Sequence, residues 1–187
     1  MQLLLFVWLA IAAPVGSKVK LDRTVAHVND LVIWESELDA RMRSEDSKNR
    51  GAVLESMIDD ELVVLEGKRT GVIVEQSEVL AALDEIKAQN KIDDKQLETV
   101  LAESGYTRAR YLLELEKQLM ILRTKNQFVA PMVYITDADV AAELKKRSLT
   151  DNDKEPVHRE MRRAAFDAKA TAWIAGLRKR AWIARRP

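Results

Sequence analysis

Residues that could ligate a metal or carry nucleophilic chemistry are few in this sequence. His27 and His158 are the only histidines, and no second histidine lies at a metal-binding spacing from either of them. Cysteine is absent, which excludes disulfides, thiolate metal sites and cysteine nucleophiles. The sequence therefore predicts no bound metal and no cofactor.

One acidic segment has the ligand spacing of a calcium loop. Asp151, Asp153 and Glu155 place oxygen ligands at alternate positions. Pro156 stands where such a loop needs its turning glycine, and no bidentate glutamate follows at the last ligand position. We interpret this segment as a solvated linker.

Sequence motifs of enzymatic catalysis are missing as well. The sequence contains no Gly-x-Gly-x-x-Gly, no Walker-type phosphate loop and no Gly-x-Ser-x-Gly nucleophile elbow. The acidic runs at 59–61 and 93–94 fall on predicted helix surfaces or caps, where charge is expected without acid or base roles. The chain is therefore predicted not to be an enzyme, and the chemistry that remains is that of its surface.

The elements that must build this surface are mainly helical. Helix formers dominate, and only 6 Gly and 4 Pro interrupt 187 residues. Two short β-branched runs, 24–28 and 31–34, meet at Asn29-Asp30 and predict a β-hairpin. Ser36 is expected to cap the helix that follows directly.

Further helices are predicted from caps and from apolar residues spaced three and four apart. The expected caps are Ser77, Asp93 or Asp94, Thr107 and Thr136, the last preceded by a short strand. The positions predicted to face inward are Leu54, Met57, Ile58, Leu62 and Leu65, then Leu80, Leu83 and Ile86, then Leu97, Val100 and Leu101, and finally Tyr111, Leu112, Leu115, Leu119, Leu122 and Phe128.

The C-terminal part is predicted to return to the body of the protein. After the polar linker 148–156, a helix is expected from Val157 to about Lys179, and Ala181 to Ala184 could pair as a strand with the hairpin. The residues expected to dock this helix on the core are Phe166, Trp173, Ile174 and Leu177.

The charge of this C-terminal part is strongly basic. Residues 158–187 carry nine Lys or Arg and two acidic side chains, which gives +7 and leaves −7 for the rest of a chain of net charge 0. Such opposite charges favour docking of the tail on the body, although a basic end could equally meet an external anion.

The amino terminus is predicted to be a secretory signal peptide, residues 1–17. Leu3 to Ala13 is uninterruptedly apolar, and Val15 and Ser17 occupy the small-residue positions of a cleavage site. The run is too short to span a bilayer, so no stable membrane anchor is expected. A buried N-terminal core helix is the alternative. With a signal peptide, the mature chain would begin near Lys18 in the periplasm.

The hairpin followed by a helix and the runs LESMIDDELVVLEGKRTGVIVEQSEV, LAESGYTRARYLLELEKQLMILR and VYITDADVAAEL resemble the SurA-type periplasmic chaperones. That resemblance implies a multi-helix N-terminal chaperone domain, similar to trigger factor, with a small β-hairpin, closed by a helix from the far end of the chain. In that family, one or two parvulin prolyl isomerase domains stand where this sequence has its short linker, and the resemblance implies that this sequence lacks them. We therefore expect a chaperone domain at 18–147, a linker replacing the isomerase at 148–156, and a completing helix at 157–187.

The resemblance further implies an ATP-independent holdase whose partners are unfolded polypeptides, chiefly outer-membrane proteins. An apolar groove would bind them without reading a specific sequence. Alternatives are a cell-envelope scaffold, an isomerase-family protein whose catalytic domain is on another chain, and a nucleic-acid binder, although no nucleic-acid partner is expected for an exported protein. The residues predicted to contact clients are Tyr106, Tyr111, Leu115, Leu119, Phe128 and Tyr134.

Overall fold

The computed structural model describes residues 22–104 and 106–186. Its elements are β1 (Thr24–Val28), β2 (Leu31–Trp34), α1 (Glu35–Ser44), α2 (Arg50–Arg69), α3 (Gln76–Asn90), α4 (Asp94–Glu103), α5 (Arg108–Phe128), α6 (Asp137–Lys146), α7 (Lys154–Arg178) and β3 (Ile183–Arg185). The fold is mainly α with one small antiparallel sheet, which confirms the predicted class. The predicted signal peptide, 1–17, lies outside the described residues.

The sheet joins the two ends of the described chain. β1 is the middle strand and pairs antiparallel with both β2 and β3, so the predicted hairpin and the predicted C-terminal strand are both confirmed. Asn29 has φ +50°, the left-handed conformation that the tight turn requires. Its N–H donates to the Trp182 carbonyl (2.8 Å), and its Oδ1 accepts from the Trp182 N–H (2.9 Å).

Two of the predicted caps are wrong. α1 begins at Glu35, so Ser36 lies inside the helix, where its hydroxyl donates to Asp22 Oδ2 (2.5 Å). α3 likewise begins at Gln76, one residue before Ser77. In each case the residue before the helix is not a hydroxyl residue, and a glutamate in the first turn accepts its backbone N–H.

The other predicted caps are confirmed. Asp93 accepts from the Gln96 N–H (2.8 Å), and Thr107 accepts from the Arg110 N–H (3.2 Å). Thr136 and Asp139 form a reciprocal capping box at the start of α6. The short strand expected before Thr136 is absent from the described residues, because the segment after α5 forms a 3-10 turn, Ala130–Met132, and finds no strand partner.

The central core packs the sheet against α1, α2, the second half of α5 and the end of α7. α2 is the hub of this core. It buries residues on most of its circumference, and Leu54 and Leu65 are partly buried around them. The largest fully buried core side chains include Ile33, Leu38 and Ile58.

Two smaller apolar clusters extend from this core. One joins Leu83 of α3 to Leu97 and Leu101 of α4, with the start of α5 packed on them. The other joins Val140 and Leu144 of α6 to the start of α7. Each cluster belongs to a helical unit that has few partners outside itself.

The single inward stripe predicted for α5 is wrong in its second half. Tyr111, Leu112 and Leu115 face the α3–α4 cluster as expected. Farther along, however, Met120, Ile121 and Thr124 are the buried residues, whereas Leu122 is 56% exposed. The reason is that the first half of α5 packs on α3 and α4 and the second half packs on α2, which lies on another side of the helix.

The stripes of α3 and α4 also differ from the prediction. Leu80 and Val100 are 42% and 51% exposed, and Val79 is buried instead on α3. Each of these helices contacts neighbouring elements on one side only. The buried face of each helix is therefore narrower than the predicted apolar stripe.

The C-terminal helix packs back on the core, as expected. Leu177 is buried there, and Trp173 and Ile174 pack against it. Trp173 also stacks on Phe128, with ring centroids 5.6 Å apart. Phe166 is half-buried but lies outside the central cluster of described residues. The helix begins at Lys154, three residues earlier than predicted, because Asp151–Asp153 already form a helical turn.

A group of ion pairs ties the C-terminal segment to α2. The Glu55 carboxylate accepts from Arg178 Nη1 (2.6 Å) and from Arg185 Nε (2.6 Å). Arg178 Nε also donates to Asp59 (2.5 Å). Hydrogen bonds from Arg185 first, and then from Arg178, lower the pKa of Glu55 to about 2.

A first prediction concerns the contact between α2 and α5. A Cβ at Gly67 would overlap Thr124 Oγ1, which is fully buried. Gly67→Ala is expected to lower the free energy of unfolding by about 1–3 kcal/mol, because overpacking outweighs the gain in helix propensity. Gly51→Ala is the matched control. It is exposed on the same helix and should raise stability by about 0.5 kcal/mol. Urea unfolding measures both, and a stabilised Gly67→Ala would contradict the close packing.

A second prediction concerns Glu55. Because its pKa is lower in the folded than in the unfolded state, its ionised form stabilises the fold above the ordinary value of 4.5. That stabilisation is lost as the pH falls from 4.5 towards about 2. Glu55→Gln is therefore expected to cost about 1 kcal/mol at neutral pH, since the pair is partly exposed and screened, and to cost progressively less in acid.

Melting temperatures measured across that pH range test this expectation. Glu66→Gln is the control, because Glu66 pairs with Arg69 inside α2 and only weakly attracts Arg180 of the C-terminal segment. Glu66→Gln should lower the melting temperature less than Glu55→Gln does, because ion pairs within one helix contribute little to stability. A loss for Glu55→Gln that did not change with pH would contradict an electrostatic role.

Candidate binding cleft

A deep cleft lies between the central core and the unit formed by α3, α4 and the start of α5. It encloses about 800 Å³. Its lining residues are Glu37, Arg41, Ser44, Met57, Asp60, Glu61, Ile86, Asn90, Ile92, Leu97, Val100, Leu101, Ser104, Tyr106, Arg110, Tyr111, Leu113, Glu114 and Lys117. We refer to this set as the cleft.

One wall of the cleft is apolar. Leu97 and Leu101 anchor α4 in its small cluster, and Tyr106 and Tyr111 pack against the same cluster from the start of α5. Leu113, which is 66% exposed, and Val100 both leave an aliphatic side chain in solvent at this wall. Exposed apolar area of this kind, concentrated in a concave site, is typical of a binding surface.

The opposite wall, on α1, α2 and α5, is charged. Arg41 approaches Asp60 (3.5 Å) and Glu114 (3.9 Å), so one guanidinium links α1 to both other helices. Lys117 forms a closer ion pair with Glu61 (2.5 Å), which joins α5 to α2. The wall thus consists of paired charges.

Burial affects the charges of this wall unequally. It raises the pKa of Asp60, and the attraction of Arg41, Lys125 and Lys117 only partly offsets that rise. For Lys117, burial acts to lower the pKa, but the Glu61, Glu114 and Asp60 carboxylates outweigh it, and the net pKa is raised. Burial therefore makes the ionised form of the Asp60 carboxyl less favourable in the folded protein than in water.

The cleft can bind by contact but offers little chemistry. Burial raises the pKa of Tyr111, which keeps its phenol protonated at neutral pH. Among residues 22–104 and 106–186, no group of three His, Asp or Glu side chains could hold a metal ion. His27 lies on β1 with its ring 5.9 Å from that of Trp182, and His158 lies on α7, so neither belongs to the cleft.

The residues predicted to contact clients lie in three places. Tyr106 and Tyr111 line the cleft. Leu115 and Leu119 line a shallow groove of about 390 Å³ between α3 and α5, which also includes Leu122. The remaining two lie apart from both, Phe128 against Trp173 and Tyr134 83% exposed after the 3-10 turn.

Several cleft residues were not among those predicted. Leu113 lies off the predicted stripe of α5, and Val100 was expected to point into the core. The paired charges were expected to be solvated helix surface. A long helix that carries Leu112, Leu113 and Leu115 has more leucines than one stripe needs, and that excess was the available sequence signal.

Comparison with known proteins places these features in a family. The SurA-like N-terminal domain family model matches residues 2–125. Chaperone SurA of Legionella pneumophila (strain Lens) is 26% identical over 179 residues, which cover 81% of this chain and 42% of the relative. Chaperone SurA of Alcanivorax borkumensis is 32% identical over 143 residues, 68% of this chain and 33% of the relative. The chain thus spans less than half the length of these relatives.

A solved structure gives the same fold. It belongs to one of two structurally related SurA-like chaperones of Campylobacter jejuni, and it matches 87% of this chain and 98% of its own with a TM-score of 0.57. At 12% identity, the match concerns the fold alone. No helix among the described residues is long and apolar enough to cross a membrane. Together the comparisons confirm the resemblance inferred from the sequence.

A third prediction follows from the buried carboxyl in the charged wall. Because the pKa of Asp60 is higher in the folded state, the wild-type fold loses stability as the pH rises through that pKa. Asp60→Asn removes this loss. We expect the melting temperature of the variant, relative to wild type, to increase from acid to neutral pH. Asp30→Asn, on the exposed hairpin turn, is the control and should show no such trend. A relative decrease would show that the ion pair with Arg41 dominates instead.

Proposed function

The chain belongs to the SurA-like N-terminal domain family, and from that premise we propose that it is an ATP-independent chaperone that holds unfolded polypeptides in the cleft. The observation that carries the proposal is the exposed apolar wall. Leu113 and Val100 remain in solvent on one side of a cleft of about 800 Å³, next to two tyrosines. Apolar area that a folded protein leaves open can be covered by a partner at about 25 cal/mol per Å².

The two unlike walls suit an extended segment of polypeptide. Apolar side chains of a client would contact the wall formed by α4 and α5 without a requirement for one sequence. Its backbone amides and carbonyls need hydrogen-bond partners, and the polar side chains of Ser44, Asn90 and Ser104 lie on the lining. Binding of this kind is tolerant in sequence, as a holdase requires.

We propose binding without catalysis. Arg41, Asp60, Glu61, Glu114 and Lys117 of the cleft are paired with one another, and neither histidine of the chain lines it. The curated relatives are named chaperones, and the matched part is their N-terminal domain family. The alternative function, prolyl isomerisation, would need a catalytic domain supplied by another chain.

The compartment and the organisation of the chain are part of the same proposal. The apolar run Leu3 to Ala13 supports export to the periplasm, where outer-membrane proteins are available as unfolded clients. We propose one chaperone domain, 18–147, completed by 157–187 across the linker 148–156. Supporting this, only residues 147–153 separate α6 from α7, and the end of α7 packs in the central core.

A fourth prediction tests the cleft directly. The double substitution Val100→Gln and Leu113→Gln replaces two exposed apolar side chains with polar ones that remain compatible with a helix. It is expected to weaken suppression of aggregation of an unfolded β-barrel protein by about tenfold, because the apolar area of the wall is lost. Light scattering measures this as the chaperone concentration that halves aggregation.

Ile73→Gln is the matched control. The exposed fraction of Ile73, 64%, is similar to that of Leu113, but Ile73 does not line the cleft. Suppression of aggregation should therefore be unchanged. Tyr134→Gln tests in the same assay whether that predicted contact residue takes part from outside the cleft. Wild-type protein that left aggregation unaffected would end the holdase proposal, and an undiminished double variant would end the assignment to the cleft.

A further inference from the structure

The first half of α7 carries a basic face that the fold leaves open. Arg162 and Arg163 lie three and four residues after Arg159, so all three share one side of the helix. All three are exposed. None forms an ion pair or a side-chain hydrogen bond with any residue in the described ranges. We refer to these three residues as the arginine face.

The opposite side of the same half-helix is the packed one. Val157 is buried and Met161 is partly buried against α6, where Val140 and Leu144 complete the small cluster. The arginine face therefore points away from α6, and its position is fixed by this packing.

The arginine face also continues the side of α7 that enters the core farther along. The same three-and-four spacing leads from Arg159 and Arg163 through Phe166 to Trp173 and Leu177. In the second half of the helix this side is covered by the body of the protein. In the first half the helix has passed beyond the core, and the side is left uncovered.

Eight of the 16 arginines in the sequence, in contrast, form ion pairs. Arg41, Arg69, Arg123, Arg147 and Arg178 each pair with a carboxylate, as do three others. Clustering three like charges on neighbouring turns without acidic partners destabilises a helix. Glu155 lies four residues before Arg159 and Asp167 lies four residues after Arg163, but neither forms an ion pair with the arginine face within the described ranges, and Glu160 is held by Arg147.

We propose that the arginine face binds the surface of an anionic phospholipid bilayer. The three arginines are exposed on one side of a helix, so their guanidinium groups are accessible to a flat surface from that side. A guanidinium presents a planar fork of donors that matches phosphate oxygens bidentately. This contact is peripheral, and it leaves the cleft, which is built from α1 to α5, free for a client.

The contribution of the arginine face to binding can be estimated from its charge. Each basic residue close to an anionic membrane surface contributes about a fivefold gain in partitioning. Three arginines are therefore expected to raise the partition coefficient by roughly 100-fold at low ionic strength, and added salt should reduce that gain.

The test is co-sedimentation of the full chain with lipid vesicles. One vesicle is made of equal parts phosphatidylglycerol and phosphatidylcholine, and the other of phosphatidylcholine alone. The difference between the two isolates the charge effect from any contribution of the apolar run at 3–13. The triple variant Arg159→Gln, Arg162→Gln and Arg163→Gln is expected to lose most of the preference for anionic vesicles.

A control variant removes the same charge elsewhere. Arg43→Gln, Lys48→Gln and Lys95→Gln replace three exposed cations on α1, the following loop and α4, and should retain the preference. Equal losses in both triple variants would show a general charge effect and overturn the proposal. Wild-type protein with no preference for anionic vesicles would overturn it as well.

Two further measurements separate this proposal from others. A DNA duplex that competed with the vesicles at equal phosphate concentration would overturn it by showing binding to polyanions in general. Suppression of client aggregation by the arginine variant is expected to equal that of wild type. A parallel loss of that suppression would show that the arginine face serves the client and would also overturn the proposal.

Discussion

The fold depends on the return of the C-terminal segment to the first elements of the chain. β3 completes the sheet by pairing with β1, and Leu177 enters the core that α1 and α2 enclose only in part. Apolar burial supplies the larger share of the stabilisation. The Glu55 ion pairs fix the position of α7 relative to α2, because a charged hydrogen bond is directional whereas apolar contact is not.

α5 and α7 each pack on different neighbours in their two halves. α5 turns one side to the α3–α4 cluster and another to α2, and α7 turns opposite sides to α6 and to the core. Each helix therefore connects the central core to a smaller unit that extends from it. The space between the core and one of these units is the cleft, so the division of α5 between two neighbours creates the candidate site.

The cleft has features that reduce the stability of the folded chain. Leu113 leaves apolar area in water, and burial raises the pKa of Asp60 so that its charged form is unfavourable. Features that lower stability and gather in one concave site are typical of surfaces that bind something else.

Local signals in the sequence are enough to predict the hairpin, the helices and their order. Turn chemistry at Asn29, the caps Asp93, Thr107 and Thr136, and helical periodicity act over a few residues, so they can be recognised without a structure. The packing of the fold, in contrast, determines which residues of α4 and α5 stay exposed: Leu113 and Val100 face solvent, and Arg41 links α1 to α2 and α5. Periodicity predicts one stripe per helix, whereas burial depends on neighbours that are distant in the chain and can lie on different sides of the same helix.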